Sequence, residues 1–242
     1  MSLLTAIAAT IASLNINPVC REYVFEATPH IVCEVSRDAD IRLRLYGDDG
    51  APLGQFDALI AETPEPILMA MNAGMYHADR APVGLYIEDG ATLAPLVTRA
   101  GPGNFGLIPN GVFWSDGEQV HVTETLAFER LQLDPVFASQ SGPMLVIDGD
   151  LHPRFQADSD SRKRRNGVGI AGDQVVFAIS DAPVTFHHFA RLFRDGLGAD
   201  NALFLDGSIS RIHAPELERS ERGTDLGPIV EILSRDERKD LP

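Results

Sequence analysis

The chain has 242 residues, 44% of them hydrophobic and 23% charged, so it can bury a sizeable core and lacks the composition of a disordered segment. With 35 acids against 20 bases its formal net charge is −15, which argues against a general grip on nucleic acid or an anionic membrane, because both need clustered Lys and Arg. In so acidic a chain, any local basic run carries information.

The N-terminus opens on an apolar stretch, Leu3 to Leu14, with small residues Ala12 and Ser13 near its end. Residues 1–18 therefore read as a signal peptide without a basic leader, or as a plain N-terminal helix; the stretch is too short to span a membrane. An exported, periplasmic chain is the expectation, with a cytoplasmic one left open. Cys20 and Cys33 form no CxxC pair, and no His or Cys pair stands at zinc spacing. They would bond in an exported chain and stay buried thiols in a cytosolic one.

Period-2 alternation in Ile41–Tyr46 and in Gln119–Thr125 predicts half-buried strands. Asp-Gly steps at Asp49-Gly50, Asp89-Gly90, Asp116-Gly117 and Asp148-Gly149 each lie beside a strand-like run and predict hairpin turns. No repeat suggests a solenoid or propeller. Further on, Gln174–Ser180 reads as a buried strand, Phe186–Asp195 as a helix capped by Thr185, and Ala202–Leu205 as another short strand. The charged tail from Glu218 to Pro242 reads as peripheral. No linker interrupts the chain, so residues 19–242 are expected to form one β-rich α+β domain. Its twisted sheet should be mixed or antiparallel, with hairpins and one or more packed helices.

Four segments stand out chemically. Asn72-Ala73-Gly74-Met75-Tyr76 follows an apolar strand and delivers an amide and a flexible backbone to a sheet rim. In Gln140-Ser141-Gly142-Pro143 the serine lacks the strand–turn–helix GxSxG context of a hydrolase elbow, so a hydrogen-bonding role fits better than a nucleophilic one. Arg162-Lys163-Arg164-Arg165-Asn166-Gly167-Val168-Gly169 is the densest basic run and enters a strand abruptly. Arg165, at that junction, could be aimed as a bidentate phosphate grip. In Leu205-Asp206-Gly207-Ser208-Ile209-Ser210 an aspartate ends a wholly apolar strand, unlike the hairpin aspartates.

Taken in order, NAGMY, SGPMLV, RNGVGI and LDGSIS resemble the successive motifs of the phosphodiester glycosidase domain family over roughly Met69 to Ser210. Ser208 and Ile209 stand where that pattern has glycines. The resemblance implies a hydrolase that cleaves a sugar–phosphate diester in a glycoconjugate or envelope polysaccharide. Asp206 would be nucleophile, base or electrostatic stabiliser, Arg165 would hold phosphate, and Asn72 would orient sugar hydroxyls. Gly74, Gln140, Ser141, Asn166, Gly207 and Ser210 would line the substrate, and Asp181 is the candidate second carboxylate. No cofactor and no metal ligand set is implied, a divalent ion being left open. A noncatalytic carbohydrate-binding or envelope-assembly module and a serine hydrolase using Ser141 are the rival readings.

Overall fold

The computed structural model describes residues 19–234, so the expected leader lies outside the described residues. All named strand pairs are antiparallel. A seven-stranded sheet runs in the spatial order Cys20–Phe25, Thr28–Ser36, Gln174–Ser180, Asn166–Ala171, Asn201–Asp206, Met144–Ile147 and Asp150–Leu151. One five-stranded sheet orders Arg219–Ser220, Ile212–Ala214, Ile67–Asn72, Ile229–Leu233 and Ile41–Arg44. The other orders Ala91–Ala94, Tyr86–Glu88, Phe137–Ser141, Gly111–Ser115 and Val120–Glu124. The fold is a single α+β domain.

Alternation explains how one sheet serves two cores. Val175, Phe177 and Ile179 face a shared interior with Met69, Met71 and Val230 of the second sheet and Phe113 and Phe137 of the third. Val176 and Ala178 face the other way, against Phe189 and Phe193. Those aromatics come from the helix Phe186–Arg191 and the π-helical turn Leu192–Gly196 that follows it. Thr185 caps the helix, its Oγ1 accepting from the His188 N–H at 3.1 Å. The glycines of RNGVGI make room for this packing. A Cβ at Gly167 would lie 2.7 Å from the Leu203 carbonyl oxygen, and one at Gly169 would lie 2.8 Å from the Phe193 ring.

The Asp-Gly turns form as the sequence suggests. Asp89 and Gly90 join Tyr86–Glu88 to Ala91–Ala94, and Asp148 and Gly149 join Met144–Ile147 to Asp150–Leu151, all four residues at positive φ. Cys20 and Cys33 face each other in the first hairpin and are disulfide-bonded. The helices Phe56–Glu62 and Thr125–Leu131 carry too short an apolar stripe to be read from the sequence.

The tail is not peripheral throughout. Ile229–Leu233 is an interior strand between Ile67–Asn72 and Ile41–Arg44, with all five residues buried. Charges flanking IVEIL mask a strand whose burial includes Glu231. That carboxylate accepts from Thr63 Oγ1 at 3.2 Å, and burial raises its pKa despite the nearby Arg44. Among the described residues no helix is long and apolar enough to cross a membrane.

Candidate active site

Asp206 ends the strand Asn201–Asp206, and a change of register there sets its direction. Gly167 pairs with Phe204, but Asn166 pairs with Asp206, so Leu205 is an extra residue at the strand end. Such a bulge bends a strand locally and re-aims the side chain beyond it. Asp206 accordingly lines a cleft of ≈ 540 Å³ together with Met75, Tyr76, His77, Arg80 and Lys163. It is the one carboxylate among the described residues that line this cleft. Burial lifts its pKa from the ordinary carboxylate range to about 6, against the opposing pull of the Gly207 N–H, which donates to Oδ1 at 2.6 Å.

A buried amide network lies behind the carboxylate. The Asn166 Oδ1 accepts from the Asp206 N–H at 2.9 Å and from the Ser210 hydroxyl at 3.1 Å. Its Nδ2 donates to the Asn72 carbonyl at 2.7 Å, while the Asn72 Oδ1 accepts from the Arg211 N–H at 2.9 Å. Three sequence-distant segments are thus pinned at one strand end. Asn72, Asn166 and Ser210, expected to touch substrate, are fully or nearly fully buried and support the rim from within. The Asn72 Nδ2 finds no hydrogen-bond acceptor among the described residues. Gly207 does line the cleft.

The basic run separates by residue. Lys163 faces the cleft, its backbone held to Val184 by bonds of 3.1 and 2.8 Å. Arg164 turns to Glu221 in a bidentate pair, both contacts at 2.8 Å. Arg165 is 1% exposed and points into the core, where its guanidinium lies 3.6 Å from the Phe186 ring centroid and donates to the Val184 and Ser161 carbonyls. Desolvation lowers its pKa to about 10. The structure therefore places Lys163, and not Arg165, in the cleft. Regular alternation would put Lys163 and Arg165, two residues apart, on one face; the backbone between the Lys163–Val184 bridge and the strand that begins at Asn166 is irregular and separates them, which charge density alone could not show.

Gln140 and Ser141 also belong to the interior. The Gln140 Oε1 accepts from the Leu85 and Val97 N–H groups, both at 3.0 Å. Ser141 is fully buried and donates to the Leu205 carbonyl at 2.8 Å, which removes the setting a nucleophile needs. Gly74 permits close approach of its strand to the next sheet: a Cβ there would lie 2.7 Å from the Gln140 carbonyl oxygen. Asp181 is bound by Arg219 at 2.5 and 3.0 Å, outside the cleft lining.

The sequence reading missed the hairpin Tyr76–Pro82, which supplies Tyr76, His77, Ala78 and Arg80 to the cleft. The signal was present: Asp79, two residues before Ala81-Pro82, marks a turn, and its Oδ1 accepts from the Ala81 N–H at 3.1 Å. Tyr76 donates from its hydroxyl to the Asp225 carbonyl at 2.9 Å, and burial together with the Asp206 charge raises its pKa. Among the described residues no three His, Cys, Asp or Glu side chains cluster as metal ligands would.

Comparison with known proteins bears on this arrangement. The phosphodiester glycosidase family profile matches residues 66–213. Protein YigE of Escherichia coli (strain K12), described as uncharacterized, is 37% identical over 177 residues, covering 71% of this chain and 69% of that protein. The catalytic domain of zebrafish N-acetylglucosamine-1-phosphodiester α-N-acetylglucosaminidase, auto-inhibited by its pro-peptide, superposes with a TM-score of 0.64 at 14% identity, covering 91% of this chain and 85% of that one. A protein of Burkholderia pseudomallei K96243 described as exported superposes with a TM-score of 0.55 at 12% identity, covering 86% and 75%. These two structural likenesses are of fold. Together with the four motifs and their placement, the profile match identifies the chain as a member of the phosphodiester glycosidase family.

Proposed function

We propose that this protein is a hydrolase that cleaves the glycosidic bond between a sugar and a phosphodiester, in a glycoconjugate or an envelope polysaccharide. The observation that carries the reading is Asp206, a half-buried carboxylate aimed by a strand-end bulge into a cleft that also holds the cations Lys163 and Arg80. Family membership and the substrate named for the zebrafish enzyme support the choice of bond.

The chemistry is consistent with a lone carboxylate. Ordinary glycosidases pair two carboxyl groups, one of them protonating the departing oxygen. A phosphate is already a stable anion when it leaves, so that proton is dispensable. The C1–O bond breaks with its electron pair on the phosphate oxygen, where cations in the cleft offset the charge. Ionised Asp206 stabilises the positive charge at C1, by contact or by covalent capture. Water then delivers hydroxide to C1, breaking any Asp206–C1 bond with its electron pair returned to the carboxylate, and His77 on the same wall can take the water's proton. The Cys20–Cys33 disulfide suits an oxidising compartment, where an envelope substrate would be met.

A panel of sugar-1-phosphate diesters tests the reading, with free sugar and phosphomonoester measured separately. Equal release of both, cut by orders of magnitude in Asp206→Asn, is expected. Release of neither, or release that Asp206→Asn leaves intact, overturns it.

A further inference from the structure

The cleft hairpin has a twin. Tyr46-Gly47-Asp48-Asp49-Gly50-Ala51-Pro52-Leu53-Gly54 and Tyr76-His77-Ala78-Asp79-Arg80-Ala81-Pro82-Val83-Gly84 share Tyr, Asp, Ala-Pro and Gly at equal spacing. Their backbones agree bond for bond. Tyr46 bridges Pro52 and Tyr76 bridges Pro82. The Gly47 N–H donates to the Ala51 carbonyl and the His77 N–H to the Ala81 carbonyl, both at 2.8 Å. The Asp49 Oδ1 accepts from the Ala51 N–H at 2.8 Å, as the Asp79 Oδ1 does from the Ala81 N–H at 3.1 Å. The hairpins follow strands Ile41–Arg44 and Ile67–Asn72, which both pair antiparallel with Ile229–Leu233, so they leave the same end of one sheet.

The copies differ where the backbone is most demanding. At the tip, φ is +77° at Gly50 and +74° at Arg80. Glycine adopts this left-handed conformation without strain, whereas a side chain opposes it. Gly50 satisfies the turn in open space, as do Gly90 and Gly149 in other hairpins. Only the copy over the cleft puts an arginine there, against local preference, and that arginine lines the cleft with Lys163 and Asp206. Its guanidinium lies 5.3 Å from the Tyr76 ring centroid, and no carboxylate among the described residues pairs with it or with Lys163.

We propose that Arg80, together with Lys163, is the anion-binding element of the cleft and takes the phosphoryl group of the substrate. The choice of phosphoryl among anions rests on the diester reading above. Arg80 arrives on a hairpin whose base is fixed by the Tyr76 hydroxyl and by Gly227, where a Cβ would lie 2.4 Å from the Tyr76 ring.

The twin supplies the controls. Arg80→Gly gives the cleft hairpin the tip of its copy, Arg80→Asn is a second uncharged variant tolerant of positive φ, and Gly50→Arg makes the reverse change outside the cleft. Melting temperature, calorimetric binding of inorganic phosphate, and diester hydrolysis are measured on each. Arg80→Gly and Arg80→Asn should melt at or above the wild-type temperature and bind phosphate roughly 10- to 100-fold more weakly, as expected for a lost charge-assisted contact. Gly50→Arg should melt lower and bind phosphate like the wild type. Equal phosphate binding by wild type and both Arg80 variants, or a melting temperature that falls in both, overturns the proposal. Arg80-dependent phosphate binding without diester cleavage would sink the diester reading and leave the anion site standing. Diester cleavage indifferent to Arg80 would do the reverse.

Discussion

The Asn166 side chain holds Asp206 from behind, its Oδ1 accepting the Asp206 backbone N–H at 2.9 Å while its amide reaches the Asn72 carbonyl at 2.7 Å. One buried carboxamide therefore joins the ends of two sheets and sets the height of the carboxylate at the cleft wall.

Asn166→Ala should leave the Asp206 N–H and the Asn72 carbonyl without this partner, at a cost of about 2–4 kcal/mol of stability. In the folded fraction, kcat should fall while KM stays near the wild-type value, because the carboxylate is misplaced and the cations are not. Denaturant unfolding and steady-state kinetics on a cleaved diester check both. An unchanged kcat in the folded variant would confine Asn166 to stability.

Asp206→Asn should reduce diester cleavage by roughly 10²–10⁴-fold, since shape is kept and charge is lost. Stability should move the other way. Burial raises the carboxyl from 3.8 to about 6, so folding disfavours its ionised form. This destabilisation is absent below pH 3.8, grows up to about pH 6, and is constant above. Asp206→Asn should therefore gain roughly 1–3 kcal/mol at pH 8 and nothing at pH 3.5. Asp148→Asn, at a hairpin Asp-Gly step, should change neither activity nor this pH dependence.

The same titration sets an activity limb. If ionised Asp206 is the working form, kcat/KM should rise tenfold per pH unit below about 6 and level off above it. In Asp206→Asn the residual activity should lose that limb. A profile flat from pH 4 to 8 would exclude the carboxylate from the chemical step.

Arg165 and Lys163 should respond oppositely to alanine. Arg165→Ala empties a buried site over Phe186 and strands two backbone carbonyls, which should cost about 3–5 kcal/mol without selectively raising KM. Lys163→Ala, exposed at the cleft, should leave the melting temperature in place and raise KM. Thermal denaturation beside kinetics separates the two patterns.

Reducing the Cys20–Cys33 bond should cost about 3 kcal/mol on the chain-entropy account for a sequence separation of 13. Denaturant unfolding with and without reductant measures it. A midpoint indifferent to reductant would show that the hairpin pairing already closes that loop in the unfolded ensemble.

Local chemistry was legible in the sequence wherever it decides structure locally. Asp89-Gly90 and Asp148-Gly149 demand positive φ, Thr185 caps its helix, and the apolar strand ending at Asp206 set that aspartate apart from the hairpin ones. The order of NAGMY, SGPMLV, RNGVGI and LDGSIS carried the family, because motif order survives when single positions drift. Three features needed the tertiary structure. Whether Lys163 or Arg165 meets the cleft depends on the irregular backbone between the Lys163–Val184 bridge and the strand start at Asn166, and on the Phe186 and Val184 surroundings that take up Arg165. Whether Ile229–Leu233 is tail or core depends on a gap between two strands about 160 to 190 residues upstream. And Arg80 became a candidate only when its hairpin was seen to share a conformation with the Gly50 hairpin and to line the same cleft as Asp206, since a sequence displays spacing but not which turn shares a cleft with which carboxylate.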